Sequence, residues 1–293
     1  MIRFLGNIKR KRCQMFREEL TKILTNKVFY LAIAAVVVLL LLENIYTSPE
    51  TGEEYTVIGL ALDDEKEEVI GIGDLHARDI MITGVPGYLE MFVPIIVAIP
   101  FIIGVCGEKK NSITRFEISR VGKTRYITGK YMAAMFSGGL IVLLGYMIFC
   151  LIIYFIFPKG TGMSIQIEND FLQNKSGLTS MLYKQIGINA LIIMKFIRMF
   201  LYGAVSVICA FGISMINRNK YIVISIPFML NYLFEKFVQK GKYPKLYNAL
   251  VTNIEEVYIV DMKEELIIFG SITILIMVLC RIYIGRKCDC GEE

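Results

Sequence analysis

The sequence has one histidine, His76, and it lies in a polar stretch between apolar blocks, so no imidazole base stands beside a serine at membrane depth. Gly212-Ile213-Ser214, which has the look of an intramembrane nucleophile, is therefore read as a structural glycine and serine. Cysteine is lacking where disulfides would form. All seven (Cys13, Cys106, Cys150, Cys209, Cys280, Cys288 and Cys290) fall within or beside apolar blocks or near the predicted cytoplasmic ends, and none falls in a predicted external loop. Cys288-Asp289-Cys290 offers two thiols and no histidine, too few donors for a metal site. A phosphate-binding loop is lacking as well. Val121-Gly122-Lys123-Thr124 has its closing residues, but Glu117 stands where the pattern GxxxxGK[ST] requires glycine. The chain is not expected to bind ATP or any other cofactor itself. No basic stripe interleaved with aromatics stands clear of the apolar blocks, so the net charge of +5 does not point to nucleic acid.

What the sequence has in abundance is apolar length. Hydrophobic residues make up 55% of the chain and the mean hydropathy is +0.55. A helix needs about 20 mostly apolar residues to cross the hydrocarbon core, and six blocks approach that length. They are residues 28–46, 89–107, 131–157, 199–216, 221–238 and 266–284. The expected fold is an all-α integral membrane protein with six transmembrane helices. Residues 1–27 are a cytoplasmic N-terminus, 28–285 the membrane domain and 286–293 a cytoplasmic tail. Met15 to Lys27 places Phe16, Leu20, Ile23 and Leu24 on one face, which predicts an amphipathic helix lying on the membrane surface. Pro94 and Pro100 inside the second block predict a kink. The moderately apolar stretch 183–198 is expected at the outer interface or as a re-entrant segment.

Basic residues are retained on the cytoplasmic side, which sets the direction. Residues 1–27 carry eight basic and two acidic groups, and residues 108–130 carry seven and two. Residues 47–88 carry ten acidic groups against Lys66 and Arg78. Both termini are therefore expected in the cytoplasm, with 47–88 outside. Lys236, Lys240, Lys242, Lys245 and Lys263 run against this trend, in a long loop that weighs less in the rule.

Within the external loop, Val57–Leu62 and Val69–Ile72 predict a short hairpin, and its acidic run reads as a solvated face. Asp74, His76 and Asp79 have metal-like spacing with no further ligand. Lys195 and Arg198 lie three residues apart near the outer end of the fourth block, where an unpaired charge is costly. The expected partner of Arg198 is Glu235, ahead of Glu43 and Glu90. Ser206, Ala210 and Ser214, like Ala134 and Gly138, have the spacing of closely packed helices, which reads first as ordinary packing, with a seam to a second copy as the alternative for one such face.

The segment between the second and third blocks reads GEKKNSITRFEISRVGKTRYITGKY. Ile113, Phe116 and Ile118 offer an apolar face, and Arg115, Glu117, Arg120, Lys123 and Arg125 a charged rim. With an acidic residue (Glu108) after the second span and Arg120 and Lys130 before the third, it resembles the coupling segment of type-2 ABC transporter permeases. Ser214 to Tyr221 leading to Pro227 is similar to the fourth-to-fifth turn of bacterial members. Asn111-Ser112 replaces that family's frequent Gly-Thr. The resemblance implies a bacterial plasma-membrane exporter subunit, paired with a second permease and driven by a separate ABC ATPase that contacts the segment. Its substrate would be a peptide, an antimicrobial or a lipid. Two other classes stay open. A membrane enzyme or maturation factor would use Glu255-Glu256 or Asp63-Asp64, and an assembly or sensor subunit would signal through the same segment. Apart from any partner, the plain alternative for the segment is that its basic residues hold the loop inside and touch anionic lipid.

Overall fold

A computed structural model describes residues 15–47, 52–62, 69–71, 75–83, 88–110, 113–160, 181, 184–187, 189–217, 219–239 and 262–289. The protein is mostly helical. Its elements in chain order are α1 (Met15–Leu24), α2 (Lys27–Leu41), β1 (Asn44–Thr47), β2 (Glu54–Thr56), α3 (Val57–Leu62), α4 (Ala77–Thr83), α5 (Tyr88–Lys110), α6 (Ile113–Val121), α7 (Lys123–Ile156), α8 (Asn189–Ile216), α9 (Lys220–Gln239) and α10 (Met262–Asp289).

Four helices among the described residues are long and apolar enough to cross a membrane, within α5, α7, α8 and α10. A fifth candidate arises if α1 and α2, bent by 64° at their junction, count as one span. The protein is therefore a helical membrane protein. A helix occupies each of the six predicted blocks, but α9 has only a short apolar part, Lys220–Leu230. The bend after α1 falls at Asn26, whose side chain accepts from the Val28 N–H and so caps α2.

Three expectations change. The first block ends its helix at Leu41, and Asn44–Thr47 turn into a strand. The hairpin of the following loop joins β1 to β2, with Tyr46 stacked on Tyr55, and not the two runs expected. Val57–Leu62 is a helix instead, because Val57 and Leu60, three apart, can bury together on one face. Residues 189–198 are not a separate segment: they are the first turns of α8, whose apolar face continues unbroken through Ala190, Leu191 and Met194.

The centre of the fold is the pair α7 and α8. Each helix has a glycine at their crossing, and a Cβ on Gly203 would sit 2.5 Å from the Gly138 carbonyl oxygen. A Cβ on Gly138 would lie 2.2 Å from Val207 Cγ2 and 2.7 Å from the Gly203 carbonyl oxygen. Without those atoms the two backbones touch. Ala134, Ala210 and Ser214 are fully buried too and Ser206 partly so, which makes these small residues packing positions within the chain itself. Around this pair pack α2, α5 and α10, with α9 against α5 and α8. Pro94 and Pro100 are both buried within α5.

Gly203→Ala should lower stability by about 2 kcal/mol, because the obstructing atom is a backbone oxygen that cannot turn aside. Gly212→Ala, where the new methyl would meet Ile276 at an ordinary 3.5 Å, should be neutral or stabilise by up to about 1 kcal/mol through helix propensity. Thermal unfolding of the two variants in detergent checks the contrast.

Candidate functional site

Five charged side chains from four segments meet at one point. Glu19 and Lys22 come from α1, Glu108 from the end of α5, Glu117 from α6 and Lys130 from the start of α7. The Lys22 ammonium lies 2.8 Å from Glu19, 3.3 Å from Glu108 and 3.5 Å from Glu117. Lys130 lies 3.1 Å from Glu19, pairs directly with Glu108 and stands 3.8 Å from Glu117. Each lysine thus touches all three glutamates.

The local structure explains how the residues arrive there. On α1, Met15, Glu19 and Ile23 recur every fourth residue and form the buried stripe, so Glu19 is carried into the interior between two apolar anchors. Gly129 on α7 makes room for that stripe: a Cβ there would lie 2.7 Å from Met15 Cγ. The next residue, Lys130, is fully buried. Its ammonium also lies over the Tyr126 ring, 5.1 Å from the centroid, which adds a cation–π contact. Gly122 joins α6 to α7 with φ of 90°, in the left-handed region that a side chain disfavours.

Glu19, Glu108 and Glu117 place carboxylate oxygens within 4.8 Å of one another, a spacing that suits a cation. The two ammonium groups are those cations. Three carboxylates against two ammonium groups leave a formal charge of −1. Burial by itself would pull the Lys22 ammonium toward neutrality, but its hydrogen bond to Glu19 and the attraction of Glu19, Glu108 and Glu117 outweigh it and hold its pKa above the ordinary lysine value of 10.5.

The cluster is not equally tight throughout. Glu117 has the longest contact with each lysine, and its Oε2 is buried without a hydrogen bond. Thr114 Oγ1 and the Tyr126 hydroxyl lie close together nearby, neither in a well-formed hydrogen bond. Buried polar atoms left this way make α6 the least firmly held of the four segments. Its other face is open. Phe116 is 76% exposed, Ile113 and Arg120 are exposed, and Ile118 turns instead toward the core.

Of the residues singled out in the sequence, the structure brings Glu108, Glu117 and Lys130 together. Arg120 lies outside the cluster on the exposed face, and Lys123 and Arg125 are partly buried on the first turn of α7. The Arg115 side chain lies outside the described residues. Glu19 and Lys22 were missed. Their one trace in the sequence is a Glu and a Lys three apart on a helix with an apolar face, which marks no site until the cation that faces the Glu is known.

At the other end of the bundle, Lys195 and Arg198 are both buried on α8. Lys195 donates to the Ile82 carbonyl at 3.1 Å, at the C-terminal end of α4. A cation at a helix C-terminus meets the negative end of its dipole. Glu43 accepts from the Tyr88 N–H at the start of α5. The expected partner Glu235, like Glu90, has its side chain outside the described residues, as do Asp63, Asp64, Asp74, Glu255 and Glu256. A scan against protein-family models gives no match, and a search of curated proteins gives none.

Lys130→Met should cost about 3–5 kcal/mol, since it takes the fully buried cation from Glu19 and Glu108 and leaves them only the half-exposed Lys22. Lys22→Met should cost at most about 1 kcal/mol, because Lys22 is half exposed to solvent. Denaturant unfolding in detergent separates the two. The raised Lys22 pKa gives the sign in alkali: its contribution is complete below 10.5 and is lost as the pH climbs through the higher folded value. Wild type should therefore hold its advantage over Lys22→Met past the ordinary lysine range and lose it only in stronger alkali.

Proposed function

We propose that this chain is the membrane-spanning subunit of an ATP-driven exporter of the type-2 ABC class, with α6 as the contact for a separate ATPase subunit. In this reading α2, α5, α7, α8, α9 and α10 are six spans, α1 is an amphipathic helix on the inner membrane surface, and both termini are cytoplasmic. The membrane is the bacterial plasma membrane. A second copy or a related permease completes the translocation pathway, and ATP is bound and hydrolysed by the partner alone. Few charges lie in the apolar helices, which suits an amphipathic cargo such as a peptide, an antimicrobial or a lipid.

One observation carries the reading. α6 is a nine-residue helix set between two long apolar helices, with Glu117 loosely held in the cluster on one side and Phe116 bare on the other. An exposed aromatic ringed by charge is the composition of an interface anchor. A helix attached on one face and open on the other can convert a partner's movement into tilt of the helices it joins.

The test is recovery of the chain from its native membrane with its partners attached. The wild type should bring down ATP-hydrolysing activity, and Phe116→Ala with Arg120→Glu should reduce that activity at least about tenfold, as loss of a central anchor does. Stability of the variant should stay within about 0.5 kcal/mol of wild type, because both residues are exposed. A wild-type chain that recovers no ATPase contradicts the proposal.

A further inference from the structure

Three hydrogen bonds seat α4 on the bundle end remote from the charged cluster. The Ala77 N–H donates to the Pro158 carbonyl just past α7, at 3.1 Å. The Tyr146 hydroxyl of α7 donates to the Met81 carbonyl, and Lys195 of α8 donates to the next carbonyl, that of Ile82. Ala77, Ile80, Met81 and Ile82 are buried. The last carbonyls of α4, which have no partner inside their own helix, are therefore taken one by α7 and the other by α8.

The spacing of these contacts along the helices is regular. Gly138 stands eight residues after Lys130 and eight before Tyr146, and Gly203 stands eight after Lys195. At 1.5 Å per residue, the close crossing at Gly138 and Gly203 lies about 12 Å from the cluster on α7 and about 12 Å from the α4 contacts on both helices. A crossing with bare backbone on both sides lets two helices rotate about it. Such rotation moves Lys130 one way and Tyr146 the other by similar amounts, and it separates Tyr146 from Lys195. α4 cannot follow both donors.

We propose that α4 is a latch across a scissor joint formed by α7 and α8: it holds their remote ends together, and it leaves its seat when they part. Departure of α4 frees the Tyr146 hydroxyl and Lys195, and Cys150, one turn after Tyr146 on α7, reports it. The latch is a property of this chain alone and does not depend on the transporter reading or on any partner.

The experiment is the rate at which Cys150, buried in the latched state, reacts with a membrane-impermeant maleimide in the purified chain, followed by peptide mapping. Tyr146→Phe removes only the hydroxyl and should raise that rate about fivefold, and Lys195→Met should raise it about tenfold or more. A Cβ on Gly160, four residues past α7, would lie 1.7 Å from His76 Cδ2 beside α4, so His76→Cys with Gly160→Cys can form a disulfide that pins α4 to α7. The oxidised pair should bring the Tyr146→Phe rate back to or below wild type, and reductant should release it. If Lys195→Met does not fold, Tyr146→Phe and the disulfide decide. Wild-type labelling in Tyr146→Phe, or a disulfide that slows nothing, overturns the latch.

Discussion

Two ammonium groups shared among three carboxylates hold α1, α5, α6 and α7 at one point. The apolar helices could pack in many rotations about their own axes, since one leucine face resembles another. Lys130 removes that freedom. Fully buried, it is tolerated only where Glu19 and Glu108 both reach it, so the rotation of α7 and α1 and the end of α5 are set together. The bend between α1 and α2 follows, because α1 must lie across the bundle for Glu19 to arrive.

The cluster is also asymmetric. Its tight contacts join α1, α5 and α7, while its loosest member, Glu117, belongs to the helix that carries the exposed Phe116 on its outer face. Force applied to Phe116 would reach α7 through one residue of turn, Gly122, and through Glu117. Beyond the crossing at Gly138, α7 ends in the α4 contacts. With 34 residues, α7 is about 51 Å long, more than the roughly 30 Å of a hydrocarbon core, so it can carry a polar site at each end of one rigid rod.

Much of this was legible in the sequence because the bilayer imposes a length rule. The apolar blocks gave helices at all six places, and the order of Glu108, Arg120 and Lys130 drew attention to the segment from which Glu108, Glu117 and Lys130 enter the cluster. The ends of elements were less legible. Asn44–Thr47 form a strand because Glu54–Thr56 offer a partner, which no local pattern announces. Glu19 was unreadable as a site residue because a carboxylate inside an apolar stripe has meaning only once Lys130, 111 residues away, is known to face it. Lys195 and Arg198 were singled out as costly charges, and a partner was sought only among glutamate side chains, for Arg198. Lys195 reaches a backbone carbonyl, that of Ile82, and a carbonyl has no letter in the sequence.

The account rests on Glu19 and Lys130 acting as one unit across that separation, and a double-mutant cycle measures this directly. Unfolding free energies of Glu19→Gln, Lys130→Met and the double variant should be strongly non-additive, with a coupling of about 1–3 kcal/mol, because removing both charges relieves what removing either one strands. Additive losses within about 0.5 kcal/mol would show that the two side chains do not depend on each other and would contradict the account.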